Sequence, residues 1–322
     1  MQEAGGLIRD ESPEQSPAAT AAAFVPVRFI MNQPAASASP SPIAPDATSK
    51  PEADDHQALL NATIVRREAI TDDLCVIRVR PDAGVPDFKP GQYATLGVLP
   101  DPDSEQAQKK GLGKLILRPY SISSSPLDKD AIEFYLALVP DGQFTPRLWN
   151  VPEGGRLYMA PKCKGRFTLD GVPADRDLVT ISTGTGLAPF VSMLKTYRDT
   201  GRWRRFVVIH GTRLSADLGY RHELEELAAS DPSLVYIPTC SREPEPEREE
   251  HWFGLRGRVN VAVEHHTFNE LTGTPLSPET CHVFLCGNPA MIDEMTGLLV
   301  EQGFTPKDRE HPDGNVHFEK YW

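Results

Sequence analysis

The stretch Leu178-Val179-Thr180-Ile181-Ser182-Thr183-Gly184-Thr185-Gly186-Leu187-Ala188-Pro189 decides the fold. Residues 178–182 are aliphatic and β-branched and read as a buried strand. A glycine-rich turn follows at once, and residues 188–197 read as a helix with a proline in its first turn. In this strand–turn–helix context, backbone N–H groups at a helix start can meet a dinucleotide phosphate. The spacing differs from Gly-x-Gly-x-x-Gly because Pro189 takes the last place.

The same alternation continues toward the C-terminus. Residues 206–210, 234–238 and 283–286 read as strands; 223–229 and about 290–301 read as helices. Strands alternating with helices predict a parallel sheet covered on both faces. Toward the N-terminus the texture differs. Runs at 63–67, 74–80, 92–98, 114–121, 131–139 and 156–159 are short and rich in Val, Ile, Leu, Tyr and Thr, with Gly, Pro and Asp between them. These predict an antiparallel barrel or sandwich. Residues 101–113 form a polar interruption and are expected to be a surface loop. Of the first 56 residues, twenty are Ala or Pro. Such a segment buries too little apolar surface to offset its ordering entropy, so it is expected to be a disordered extension or the result of a start upstream of Met31. The predicted division is 1–56 extension, 57–170 β domain and 171–322 α/β domain.

Bulk properties narrow the function. The formal net charge is −12, from 33 Lys and Arg against 45 Asp and Glu, which argues against nucleic-acid binding. No apolar run is long enough to span a bilayer, and no basic leader precedes residues 21–27. A monomeric cytoplasmic protein is the expectation. Cys75, Cys163, Cys240, Cys281 and Cys286 are odd in number and widely spaced, so they form neither a disulfide framework nor an iron–sulfur or zinc pattern, and no metal site is expected. The pair His265-His266 reads as a solvated helix or loop feature.

Five short motifs carry chemistry. In Arg118-Pro119-Tyr120-Ser121, at a strand end, alternation puts Arg118 and Tyr120 on one face and Ser121 on the other. A guanidinium can chelate a diphosphate, a tyrosine ring can stack on a flat ring system, and a hydroxyl can approach a ring nitrogen. In Asp141-Gly142-Gln143-Phe144-Thr145-Pro146, Gly142 allows a tight turn and Thr145 stands where a helix begins. The third motif is the Gly184-Thr185-Gly186 turn. The fourth, Cys286-Gly287-Asn288-Pro289-Ala290-Met291, puts Cys286 at the carboxyl end of a parallel strand, where open α/β sheets hold ligands. The fifth is Cys240-Ser241-Arg242-Glu243, with Arg258 downstream and Arg213 at a neighbouring strand end. Hydroxyl and guanidinium groups there suit a ribose 2′-phosphate, where an acidic residue would suit a free 2′-hydroxyl. Each motif alone also fits a structural role.

Taken in order, Arg118-x-Tyr120-Ser121, Gly142-x-x-Thr145, Gly184-Thr185-Gly186-x-x-Pro189 and Cys286-Gly287-x-Pro289-x-Met291 resemble the ferredoxin–NADP⁺ reductase family, the bacterial ferredoxin/flavodoxin reductases above all. A chain ending Tyr321-Trp322 adds to the likeness, which covers about residues 57–322. The resemblance implies an antiparallel FAD-binding β-barrel followed by a Rossmann-like parallel-sheet NADP-binding domain. It implies that Arg118 holds the FAD diphosphate, with Gly142 and Thr145 completing that site. Tyr120 would stack on the isoalloxazine, Ser121 would approach its N5, and Trp322 would stack at the adenine end. Gly184, Thr185 and Gly186 would meet the NADP(H) diphosphate and nicotinamide. Ser241, Arg242, Arg258 and Arg213 would hold the 2′-phosphate. Cys286 would lie beside nicotinamide and flavin, and Ser121, Cys286 and Tyr120 form the implied catalytic set. The implied partners are ferredoxin and flavodoxin. Lys162, Lys164 and Arg166 would offer an acidic partner a basic patch, extended by Lys109, Lys110 and Lys114. Other functions sharing these motifs are an NADH-dependent flavin reductase serving an oxygenase or cytochrome, a free flavin or quinone reductase, and a non-catalytic FAD-binding redox sensor or assembly subunit. The acidic residues Glu243, Glu245, Glu247, Glu249 and Glu250 depart from the pattern and would weaken an NADP site if they folded inward.

Overall fold

The computed structural model describes residues 58–101, 115–244 and 254–321. The N-terminal extension, most of the polar loop with Lys109, Lys110 and Lys114, the acidic residues from Glu245 to Glu250, and Trp322 lie outside them.

Six strands form an antiparallel sheet: β1 (Ala62–Thr71), β2 (Leu74–Pro81), β3 (Tyr93–Val98), β4 (Ile116–Ser121), β5 (Ile132–Ala137) and β6 (Arg156–Met159). Their order is β4-β3-β6-β1-β2-β5. The sheet curls until its two edges meet, through a bridge between Ile122 and Phe134. Alternate inward residues such as Ile64, Ile77, Leu96, Phe134 and Leu157 are fully buried and fill the barrel. Each contributes about 1.5–3 kcal/mol by leaving water. Between β5 and β6 lies the short helix α1 (Thr145–Trp149).

The second sheet joins β7 (Asp177–Thr183), β8 (Arg205–Thr212), β9 (Leu234–Cys240), β10 (Leu255–Arg256), β11 (Cys281–Gly287) and β12 (Val316–Lys320). All pairs are parallel, in the order β10-β9-β8-β7-β11-β12. Every residue of β11 is buried, as expected of a strand covered on both faces. Helices α2 (Ala188–Tyr197), α3 (Arg221–Ser230), α4 (His265–Thr272) and α5 (Pro289–Glu301) cover the sheet. The expected architecture, an antiparallel barrel followed by a parallel α/β sheet, is what the chain adopts. Helix α2 is buried from Ala188 to Leu194 because it is packed on both sides. Phe167, Phe190 and Phe284 meet with ring centroids 5.5–5.8 Å apart, in a core that also takes Leu74 and Tyr135 from the barrel. His265 and His266 open α4 as exposed helical residues.

Candidate functional site

The carboxyl ends of the parallel strands open into a cleft of about 660 Å³. Its floor is built by two close approaches. A Cβ on Gly186 would lie 2.4 Å from the Cys286 carbonyl oxygen, and one on Gly287, at φ +129°, would lie 2.5 Å from Thr183 Oγ1. Only glycine lets the ends of β7 and β11 abut in this way. The Asn288 amide donates to Thr183 Oγ1 at 3.1 Å, and the Asn288 side chain caps α5 by accepting from the Ala290 amide. His210, fully buried on β8, faces the Gly184 carbonyl across 3.1 Å. Burial pushes its pKa down to about 4, so the ring is neutral and its Nε2–H donates to that carbonyl, fixing the turn from below.

Arg213, Ser241, Arg242 and Arg258 line one wall of the cleft with Gly184 and Thr185. The loops that carry them are cross-tied: the Arg242 amide donates to the Arg213 carbonyl at 2.9 Å, and the Ser241 amide to the Thr212 carbonyl at 3.1 Å. Glu243 accepts from the Ser215 amide at 2.6 Å and from its hydroxyl at 2.7 Å. The one described residue of the acidic run therefore ties two loops together. Among the described residues, Arg213 and Arg242 form no ion pair, and Arg258 has only Glu294 at 3.8 Å. Exposed guanidiniums, two of them on cross-tied loops, have the chemistry to pair with a phosphate monoester.

At its inner end the cleft meets the barrel, where Asp73, Leu74 and Ala137 line it. Tyr321 lines the junction; its hydroxyl donates to the Thr185 carbonyl at 3.3 Å and its amide to the Gly287 carbonyl at 3.1 Å. That hydroxyl also lies within hydrogen-bonding reach of the Cys286 thiol and the Ser121 hydroxyl. Ser121 Oγ donates to Glu319 Oε2 at 3.4 Å. Register explains the meeting: Cys286 stands opposite Glu319 on the β11–β12 ladder. Burial pushes the Cys286 thiol well above its usual pKa, with the Glu319 carboxylate adding to the effect, so Cys286 is a neutral thiol. Burial also raises the Glu319 carboxyl, against the pull of the Ser121 hydrogen bond.

On the barrel side, Arg118 is exposed and donates to the Leu117 carbonyl, while Tyr120 is half-buried with its ring 5.4 Å from that of Phe144. Thr145 is buried at the start of α1. Its hydroxyl accepts from the Val139 amide at 2.9 Å and faces the Val139 carbonyl at 3.3 Å. The Gly142 amide donates to that same carbonyl at 2.8 Å, so both residues shape the turn that ends β5. Lys162, Lys164 and Arg166 are exposed. Lys164 exchanges two backbone hydrogen bonds with Tyr93, whose register partner is Ser121, so the basic segment flanks the end of β4.

The chain has relatives among known proteins. Residues 180–296 match the oxidoreductase NAD-binding domain family. The flavodoxin/ferredoxin–NADP reductase of Escherichia coli K12 is 33% identical over 235 residues, covering 73% of this chain and 88% of that protein. This chain belongs to the flavodoxin/ferredoxin–NADP reductase family. Its relatives in that family include the ferredoxin–NADP reductase of Pseudomonas aeruginosa, 27% identical over 242 residues, 72% of this chain and 86% of that one. A ferredoxin NADP⁺ reductase from Neisseria gonorrhoeae, solved with bound FAD and NADP, superposes with a TM-score of 0.69 at 25% identity, covering 81% of this chain and 98% of its own. An Amycolatopsis cytochrome P450 reductase superposes at 0.59 with 26% identity, over 81% and 69%. Among the described residues no helix is long and apolar enough to cross a membrane, and no cluster of three or more metal-ligating side chains occurs.

Proposed function

We propose that this member of the family is an FAD-dependent reductase that moves electrons between NADP(H) and a ferredoxin or flavodoxin. The observation that carries the proposal is the single cleft joining Arg213, Ser241, Arg242 and Arg258 at one end to Tyr321, beside Ser121, Cys286 and Glu319, at the other. Its residues fit the two cofactors. The half-buried Tyr120 ring offers a flat apolar surface beside the exposed Arg118 guanidinium, which suits a flavin and its diphosphate. The exposed arginines suit a 2′-phosphate and give no advantage to the free hydroxyl of NADH.

Bound there, the flavin would exchange hydride with the nicotinamide and single electrons with the protein partner. The chain supplies position and proton control. Gly184, Thr185 and Gly186 orient the dinucleotide, and the neutral Cys286 thiol and Tyr321 ring keep bulk water from the junction. Ser121 and Glu319 form a hydrogen-bonded pair able to hold a proton at the barrel end of the cleft, since burial favours the protonated carboxyl.

The basic segment supports the choice of partner. Lys162, Lys164 and Arg166 are exposed cations in a chain of net charge −12, and they flank the end of β4. An acidic redox protein docked there would approach the flavin edge. The test is NADPH-driven reduction of purified ferredoxin and flavodoxin across a salt series. Charge reversal of Lys162 and Lys164 together is expected to slow both acceptors by about ten-fold at low salt and to leave the rate of flavin reduction by NADPH unchanged. Reduction of neither acceptor by the wild-type protein would overturn the partner assignment.

A further inference from the structure

Immediately beyond Ser121 the chain reads Ile122-Ser123-Ser124-Ser125. Each of the three serines is spoken for across the boundary between barrel and α/β sheet. The Ser123 and Tyr220 hydroxyls are hydrogen-bonded at 2.9 Å. The Ser124 carbonyl accepts from the fully buried Ser192 hydroxyl at 2.6 Å. Ser125 Oγ accepts from the Thr196 hydroxyl at 2.9 Å. Ser124 Oγ in turn accepts from the Glu133 amide at 3.0 Å, which fixes the segment to β5.

The donors are equally well placed. Ser192 and Thr196 lie four residues apart on one face of α2, the helix that grows directly out of the Gly184-Thr185-Gly186 turn. Tyr220 sits at φ +61°, left-handed backbone that a bulky side chain adopts only when its surroundings over-determine it. Its hydroxyl also meets Glu133 Oε1 at 2.9 Å, Lys195 Nζ stands 5.0 Å from its ring centre, and Tyr135 packs edge-on at 5.5 Å. Tyr135 completes the contact, with its hydroxyl donating to the Asp217 carbonyl and accepting from the Gly219 amide, both at 3.2 Å. Arg213 and Asp217, on the same loop as Tyr220, line the dinucleotide cleft.

Two short covalent paths therefore meet at one clasp. One runs from the dinucleotide turn along α2 to Ser192 and Thr196. The other runs from Ser121 through Ile122 to Ser123. We infer that Ser192, Thr196 and Tyr220 are positioning residues that set the register of the dinucleotide turn against the β4 end bearing Ser121, and hence the approach of the two reacting rings. This rests on the cofactor assignment above. Hydride transfer is steep in distance, and a misplacement of about 1 Å can cost about 100-fold in rate.

The test uses the FAD-loaded full chain with Tyr220→Phe, Thr196→Val and Thr196→Ser. The rate of flavin reduction by excess NADPH is expected to fall by roughly 10- to 100-fold in Tyr220→Phe and Thr196→Val and to be restored in Thr196→Ser, which keeps the hydroxyl. Affinity for 2′,5′-ADP, which reports only the arginine end of the cleft, is expected to stay within about two-fold. Hydrogen exchange at residues 121–125 is expected to quicken in the two impaired variants alone. Unchanged reduction rates and unchanged exchange overturn the inference, as does a loss of rate matched by an equal loss in Thr196→Ser. A wild-type flavoprotein that NADPH fails to reduce sinks the cofactor assignment instead. The exchange measurement then still decides whether the clasp holds the two halves together.

Discussion

The two ends of the parallel sheet use the same side chain in opposite ways. At the amino end of β7, Asp177 is almost wholly buried and accepts from Arg204 at 2.6 Å and Arg205 at 2.6 Å. Burial pushes its carboxyl up, but the two guanidiniums win and hold it below the usual range. At the carboxyl end, Arg213 and Arg242 are exposed with no ion pair among the described residues, and Arg258 is loosely held by Glu294. Arginine closes the first end and leaves the second open. Charge alone marks nothing: guanidiniums locked by a buried carboxylate make a joint, whereas exposed ones, two without an ion pair among the described residues and one loosely held, remain available to a ligand.

The largest effect is expected at the closed end. Asp177→Ala strands two guanidiniums and is expected to destabilise the fold by about 3–5 kcal/mol in urea titration, with the surviving folded protein retaining its NADPH preference. At the open end, Arg242→Glu should lower kcat/KM for NADPH by about 100-fold, about 2.7 kcal/mol of transition-state binding, with kcat/KM for NADH nearly unchanged and stability within about 0.5 kcal/mol. A smaller effect follows from buried histidines. Burial, with Arg176 and Lys307 nearby, pushes His282 down to about 4; burial, Lys307 and His282 push His317 to about 3. The unfolded chain therefore binds protons first, near pH 6.5, so stability is complete above that pH and is lost as pH falls toward 4. Melting scans should show Tm falling over that window, and less so in His317→Phe. The sign reverses for Glu319, whose folded carboxyl is raised: its charged form costs stability as pH climbs through the folded value. Glu319→Gln should remove that slope, for a gain of about 1 kcal/mol or less at neutral pH, and flatten the pH dependence of flavin reduction. Least of all, Glu294→Gln frees Arg258 and should tighten NADPH binding by about two-fold.

Much of this was legible in the residues. The six barrel strands and four of the parallel strands showed in their apolar runs, because buried parallel strands are continuous in hydrophobicity and the barrel strands alternate, whereas β10 and β12 did not show. The glycine turn and the Ser241-Arg242 pair stood out because their residue types at strand ends suit a phosphate, and the structure brings them to one cleft. Glu319 did not show. It stands opposite Cys286 only through the β11–β12 register, and β12 is five residues of mixed polarity that carry little period-two signal. Its one local cue is the β-type run from Val316 to Tyr321 following the Gly314-Asn315 turn. Thr145 showed as a helix start, but its hydroxyl is engaged by Val139, a contact that depends on how the β5 turn closes. The Ser123-Ser124-Ser125 clasp was silent for the same reason: serines tell nothing until their partners on α2 and Tyr220 are in place.

The most direct measurement is rapid mixing of the FAD-loaded protein with NADPH and, separately, NADH, following loss of the oxidised flavin absorbance. Reduction by NADPH is expected to be at least about 100-fold more efficient than by NADH, with that preference collapsing in Arg242→Glu. Equal reduction by both nucleotides, or a preference untouched by Arg242→Glu, would contradict it.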